Sequence, residues 1–259
     1  MNHKIIKASL PYRDQETQAL LFLPQHTEPQ QRLAVFSHGY TSHKGDLLSW
    51  GNRLAEEGLA SIIFDWPGHY LGNYSEVTDL DQFQTSAHRL FFEAFSVLRK
   101  NWEELYGDSF NQNSPIVLGG HSLGALLSLY AMTLPEFSDY KISAVCVGLG
   151  ITPEGEEHLF QSKFFEKTME VRQQLVSPAL HPKNFLPLIN KLKLELPKLS
   201  GPVHLITGEN DVIVGKNGSE RLLSLLESAG NKVSLEKPKN LSHHQPELAA
   251  TTIRNFLRL

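Results

Sequence analysis

Gly120-His121-Ser122-Leu123-Gly124 stands between the apolar run Ile116-Val117-Leu118 and the helix-forming stretch Ala125-Leu126-Leu127-Ser128-Leu129-Tyr130. The apolar run reads as a strand ending at Gly119, and a helix is expected to begin at Ser122. A serine on so tight a strand-to-helix turn takes up a strained backbone, and the residues two before and two after it must be small for strand and helix to approach. Gly120 and Gly124 meet that requirement. Such a turn lifts the Ser122 hydroxyl to the edge of a sheet and aims the helix's first backbone N–H groups at any oxyanion formed there. A loose Gly/Ser loop offers the same residues, but without a strand before them and a helix after them. The chemistry this arrangement serves is acyl transfer.

Short apolar runs alternate with longer helical patterns on both sides of this turn. Residues 19–23, 33–37, 60–65, 115–119, 142–149, 203–207 and 233–236 read as strands, and 47–57, 82–106, 122–133, 216–228 and 246–257 as helices. That alternation is the signature of a mostly parallel sheet with helices on both faces. No repeat, low-complexity tract or Gly/Ser/Pro linker divides the 259 residues, so one domain over 1–259 is expected. The roughly fifty residues between Leu149 and Val203 exceed an ordinary α/β connection and must carry structure of their own. Within them Phe160, Phe164, Val171 and Leu175 recur at near-helical spacing, with Phe165 and Met169 beside the stripe. This insertion, at about 151–200, reads either as a small cap over Ser122 that forms part of an acyl pocket or as a helix packed on the core that touches no ligand. Its exposed apolar residues would serve equally as a homodimer surface.

Composition narrows the function class. The 24 Lys and Arg against 28 Asp and Glu give a net charge of −4 with no clustered basic face, which argues against nucleic acid as a partner and leaves a small molecule. The single cysteine, Cys146, lies in the apolar run Ala144-Val145-Cys146-Val147 and reads as a buried small hydrophobe. Met1-Asn2-His3-Lys4-Ile5-Ile6-Lys7 lacks the apolar core of a secretory signal, and no segment is long and apolar enough to span a membrane. A cytoplasmic protein with no integral membrane segment is expected.

A serine hydroxyl is a poor nucleophile near neutral pH, so the chain must supply a base for its proton and a carboxylate to orient that base. Val203-His204-Leu205-Ile206 runs into Thr207-Gly208-Glu209-Asn210-Asp211, placing a carboxylate just past a strand's carboxyl end, where α/β sheets build their sites. Asp211 is the expected acid and Glu209 its competitor; a surface turn would use the same residues for geometry alone. Beyond the last strand, Lys239-Asn240-Leu241-Ser242-His243-His244-Gln245-Pro246 forms a polar loop from which one imidazole can reach the turn. His243, directly after the small Ser242, is favoured over His244. The remaining histidines are expected at the polar surface or as supports of the site, and no His/Asp/Glu cluster has metal-ligand spacing.

The chain order Ser122, Asp211, His243 is the order of α/β-hydrolases, and the sequence resembles that superfamily over nearly its full length. Ser37-His38-Gly39-Tyr40-Thr41-Ser42-His43-Lys44-Gly45 is similar to the His-Gly-aromatic loop of carboxylesterases, feruloyl esterases and acylglycerol lipases. The resemblance implies that the backbone N–H of Tyr40 joins that of Leu123 in an oxyanion hole. Phe64-Asp65-Trp66-Pro67-Gly68-His69 resembles the superfamily's Asp-x-x-Gly-His-Gly-x-Ser loop and departs from it at Tyr70, where Tyr70-Leu71-Gly72-Asn73-Tyr74-Ser75 is rebuilt. Aromatic residues there would line a pocket or cover the sheet edge. By resemblance the fold is an α/β-hydrolase: a mostly parallel, doubly wound sheet of about eight strands with a small helical cap insertion. The implied activity is a cofactor-free, metal-free serine esterase, with Ser122 attacking, His243 moving the proton and Asp211 orienting it. The same triad would serve an amidase, thioesterase, lipase or carbon–carbon hydrolase, and a chain that kept only the pocket would be a small-molecule binding module.

Overall fold

The computed structural model describes residues 3–25, 30–151 and 163–258. Among these, β1 (His3–Tyr12), β2 (Gln15–Pro24), β3 (Leu33–Ser37), β4 (Ala60–Phe64), β5 (Pro115–His121), β6 (Lys141–Val147), β7 (Val203–Ile206) and β8 (Val233–Glu236) form one sheet, ordered β1-β2-β4-β3-β5-β6-β7-β8. β1 and β2 pair antiparallel, as do β2 and β4, and every other pairing is parallel. The helices are α1 (Leu48–Glu56), α2 (Leu80–Ser86), α3 (Leu90–Tyr106), α4 (Leu123–Ala131), α5 (Lys163–Arg172), α6 (Pro182–Leu194), α7 (Gly218–Ser228) and α8 (Ala250–Leu257).

The central strands are buried along most of their length and largely apolar because both faces are covered. In β3, Leu33 and Val35 enter the core that α3 and α4 share, while Ala34 and Phe36 enter the core of α1 and α8. β5 and β6 alternate in the same way: Ile116, Leu118, Ala144 and Cys146 face one layer, Val117, Val145 and Val147 the other. This is the α/β-hydrolase architecture, and β5 lies inside the sheet with a parallel neighbour on each side.

Two readings of the sequence are corrected. The sequence reading missed β1, although Ile6, Ala8, Leu10 and Tyr12 alternate with the exposed Lys7, Ser9 and Pro11; the strand pairs only with β2 at the sheet edge and lacks the unbroken apolar run of an inner strand. The pattern over 82–106 is not one helix: Asp79 caps α2 by accepting from the Asp81 and Gln82 N–H groups, and Ser86, at φ −124°, separates α2 from the 3-10 turn that leads into α3. Cys146 is fully buried, and burial pushes its thiol up to about 12.

Gly124 is where the sheet and α4 approach most closely: a Cβ there would sit 2.0 Å from the Ser37 carbonyl oxygen. Gly107, at the end of α3 with φ +72°, has no atom within 4 Å of an added Cβ. Urea denaturation is expected to show Gly124→Ala destabilising the fold by about 3 kcal/mol or more. Gly107→Ala should cost only the left-handed backbone penalty of about 1–2 kcal/mol. Equal losses for the two would contradict the close-approach account.

Candidate active site

Ser122 lies at the carboxyl end of β5 with φ 51° and ψ −103°, outside the favoured regions for a residue with a Cβ. Backbone bonds on either side hold it there. The Ser122 N–H donates to the Val147 carbonyl at 2.8 Å, and the Gly124 N–H donates to the His38 carbonyl at 3.0 Å. Leu123 opens α4, so its N–H belongs to the helix turn that has no intrahelical acceptor.

The loop after β3 is fastened to the same point. The His38 carbonyl also accepts from Trp66 Nε1 at 2.9 Å, and its ring bridges the two loops: Nε2 accepts from the Trp66 N–H at 3.1 Å while Nδ1 donates to the Gly39 carbonyl at 2.8 Å. Burial drives the His38 pKa down to about 3, so this neutral tautomer persists across physiological pH. Asp65, fully buried, accepts from the Lys44 N–H at 2.6 Å and pairs with the Lys44 ammonium. Tyr40 donates its hydroxyl to the Leu180 carbonyl at 2.6 Å, and its ring lies 4.8 Å from that of Phe185. The loop bearing the Tyr40 N–H is thus fixed at both ends.

Asp211 and His243 meet across the carboxyl ends of β7 and β8. His243 Nδ1 lies 2.8 Å from Asp211 Oδ2, and Asp211 Oδ1 accepts from the Ile213 and Val214 N–H groups at 3.0 Å each. Glu209 is exposed, whereas Asp211 is buried. His244 is set apart from the carboxylate, its ring 5.7 Å from that of His243. The His121 ring packs 4.7 Å from that of His243 and is held neutral by burial. Of the remaining histidines, His38 and His121 are buried beside the site as supports, as expected, and His3, His69 and His204 are buried as well.

Ser122, His243, His244 and Tyr40 all border one cavity of about 470 Å³. Its far wall comes from the long connection before β7. Thr168, Val171, Arg172 and Leu175 line it from α5 and the turn that follows, and Leu186, Ile189, Asn190 and Lys193 line it from α6. Both sets have the i, i+3, i+4, i+7 spacing of one helical stripe. Of the stripe expected from sequence, Val171 and Leu175 are on this wall; Phe160 and the side chains of Phe164 and Phe165 lie outside the described residues. Trp66, Tyr70 and Tyr74 are not on it: Trp66 is core, Tyr70 donates to Glu76, and Tyr74 is exposed. The sequence reading missed Arg172 and Lys193. Lys193, three and four residues from Asn190 and Ile189 on an amphipathic helix, carries the signal that finds it, a cation placed within an apolar stripe.

Residues 28–180 match the model of the family described as serine aminopeptidase, S33. No curated protein matches the chain. Among solved structures, an esterase from Rhizomucor miehei is similar at 18% identity, over 98% of this chain and 83% of that one, with a TM-score of 0.66. A thermostable carboxyl esterase from Bacillus coagulans, solved with glycerol, is similar at 15% identity over 100% and 98% of the chains, TM-score 0.62. The acylaminoacyl peptidase of Pyrococcus horikoshii is similar at 13% identity and a TM-score of 0.62, and this chain spans 42% of its length. At such identities the likeness is one of fold.

The buried acid and the buried histidines act over different, partly overlapping pH ranges. Burial pushes the Asp211 carboxyl up, but the His243 bond and the Val214 and Ile213 N–H groups outweigh it and leave it below the ordinary value. Its ionised form therefore stabilises the fold above about pH 4, and that contribution is lost as pH falls through the depressed value. His38 and His69, both pushed down to about 3 by burial, act earlier: the unfolded chain takes up their protons from about pH 6.5 downward. Thermal melts across this range should show Asp211→Asn flattening the acid limb below about pH 4 while the loss between about pH 6.5 and 4 persists. An unchanged limb below pH 4 would count against the depressed carboxyl.

Proposed function

The chain belongs to the serine aminopeptidase S33 family of α/β-hydrolases, and on that premise we propose that it cleaves carboxylic esters through an acyl-enzyme formed on Ser122. The observation that carries this reading is the bond between Asp211 and His243, on the rim of the cavity that also contains the strained Ser122. With His243 Nδ1–H donating to Asp211, the free lone pair falls on Nε2, the nitrogen that takes the Ser122 proton as Oγ attacks the ester carbonyl. His243 then protonates the departing alcohol and afterwards activates the water that releases the acid. The N–H groups of Tyr40 and Leu123 receive the developing oxyanion, each worth about 3 kcal/mol in the transition state. The described part of the insertion, residues 163–200, acts as a cap whose Val171, Leu175, Leu186 and Ile189, with Ile213 and Val214 opposite, form the apolar wall for the acyl group.

An aminopeptidase would need to hold a substrate ammonium. Of the charged described residues that line this cavity, Arg172 and Lys193 are cations against one carboxylate, Asp46, which accepts from the Ser42 hydroxyl, and this surplus of positive charge disfavours such a substrate. The ester is therefore the preferred reading.

Hydrolysis of p-nitrophenyl acetate and butyrate tests it. Ser122→Ala and His243→Ala are each expected to lower kcat/KM by about 10⁴-fold or more, and His244→Ala by no more than about tenfold. Loss of activity in His244→Ala with retention in His243→Ala would reverse the assignment of the base. Wild-type turnover that survives Ser122→Ala would overturn the mechanism.

A further inference from the structure

The cap places two cations on the wall of the cavity. Arg172 closes α5 and Lys193 stands in the last turn of α6, each within its helix's cavity-lining stripe. The Arg172 guanidinium donates to Thr41 Oγ1 at 2.6 Å, which spends one of its five N–H groups on a neutral hydroxyl, and among the described residues no carboxylate pairs with the rest of the fork. Lys193 has neither an ion pair nor a hydrogen bond among the described residues, whereas Lys191, two residues earlier, pairs with Glu195 at 3.9 Å on the outside of the same helix. A helix C-terminus favours a cation, and Lys191 already satisfies that preference at the surface. Turning a second ammonium inward, into partial burial, costs desolvation that a surface position would avoid. Burial accordingly pushes Lys193 down to about 8, which still leaves the ammonium as the main form at neutral pH.

Two carboxylates lie nearby, and neither bonds to this pair among the described residues. Asp211 favours the Lys193 charge from a distance while it is held by His243 and two backbone N–H groups, and Asp46, on the same cavity wall, accepts from the Ser42 hydroxyl and lies 3.5 Å from His43. The protein as a whole is acidic, with a net charge of −4, so a positive patch confined to the cavity is a local feature of the site.

We infer that Arg172 and Lys193 form an anion subsite, and that the preferred substrates are esters carrying a carboxylate, on either the acyl or the alcohol side of the scissile bond. This rests on the esterase reading and goes beyond it by naming the charge of the substrate. The guanidinium fork takes a carboxylate in a planar, two-bond fashion, and the ammonium neutralises it from the neighbouring helix.

Three substrates separate the sources of the charge: p-nitrophenyl butyrate is neutral, mono-p-nitrophenyl adipate carries the carboxylate on the acyl side, and 4-butyryloxybenzoate carries it on the leaving group. In the wild type one anionic ester should exceed the neutral one in kcat/KM by about tenfold after correction for leaving-group reactivity. Lys193→Met and Arg172→Gln should each cut that ratio by about tenfold, and Lys193→Arg should restore most of it. The ratio is read within each variant, so a general loss of activity does not imitate the effect. Thermal melts of Ser122→Ala with adipate, set against its neutral diamide, give a second readout that needs no turnover. Adipate should raise Tm, and the added Lys193→Met substitution should remove the rise. Ester turnover with no anionic preference and no adipate shift overturns the anion subsite and leaves the esterase standing. A Lys193-dependent adipate shift without turnover of any ester supports the subsite and overturns the esterase.

Discussion

The backbone of Ser122 is held at φ 51°, ψ −103°, and the rest of the site depends on keeping it there. Such a conformation costs about 1–3 kcal/mol and persists only where the surroundings fix it. Here the parallel pairing of β3 with β5 brings the Ser37 and His38 carbonyls against the turn, and Gly120 and Gly124 leave them room. The bonds from the Ser122 N–H to Val147 and from the Gly124 N–H to His38 offset the strain at about 1 kcal/mol each. The His38 carbonyl, which accepts from both Gly124 and Trp66, ties the serine turn, the Tyr40 loop and the loop after β4 to one point. A disturbance in any of the three loops is transmitted to the hydroxyl.

Around that point the charges are sorted by depth. His38 and His69 are buried and neutral, serving as rigid hydrogen-bonding spacers, and the Lys44–Asp65 pair closes the loop without projecting into the cavity. Asp211 keeps its charge because His243 and two N–H groups stabilise it, which supports a His243 oriented for proton transfer. The cap helices bring a different kind of surface, apolar side chains punctuated by Arg172 and Lys193. In the proposed reading, chemistry sits on the sheet's carboxyl edge and selectivity on the insertion.

How much of this could be read from the sequence follows from what each segment packs against. The inner strands are covered on both faces and show as unbroken apolar runs, so β3 to β7 and the turn at Ser122 were legible. β1 meets solvent along most of its length and left no such trace. That Ser122, Asp211 and His243 come together at one end of the sheet was legible because strand ends, turn residues and chain order constrain them together. Lys193 stands out in the sequence only as a cation within an apolar stripe, and its place on the cavity is set by how α6 rotates: Phe185 and Leu192 of that helix are buried in the core, while Ile189 and Lys193 border the cavity. The burial of His69 escaped for a related reason, since its ring is hidden by close approach of loops that sequence spacing does not encode.

The central claim is that the strained turn, with Asp211 and His243 behind it, makes one serine hydroxyl unusually nucleophilic. Incubation with a fluorophosphonate followed by intact-mass and peptide-mapping mass spectrometry measures this directly. The account predicts a single adduct, on Ser122, whose rate of formation falls by about 10³-fold or more in His243→Ala. An adduct on another serine, or labelling of Ser122 that is indifferent to His243, would contradict it.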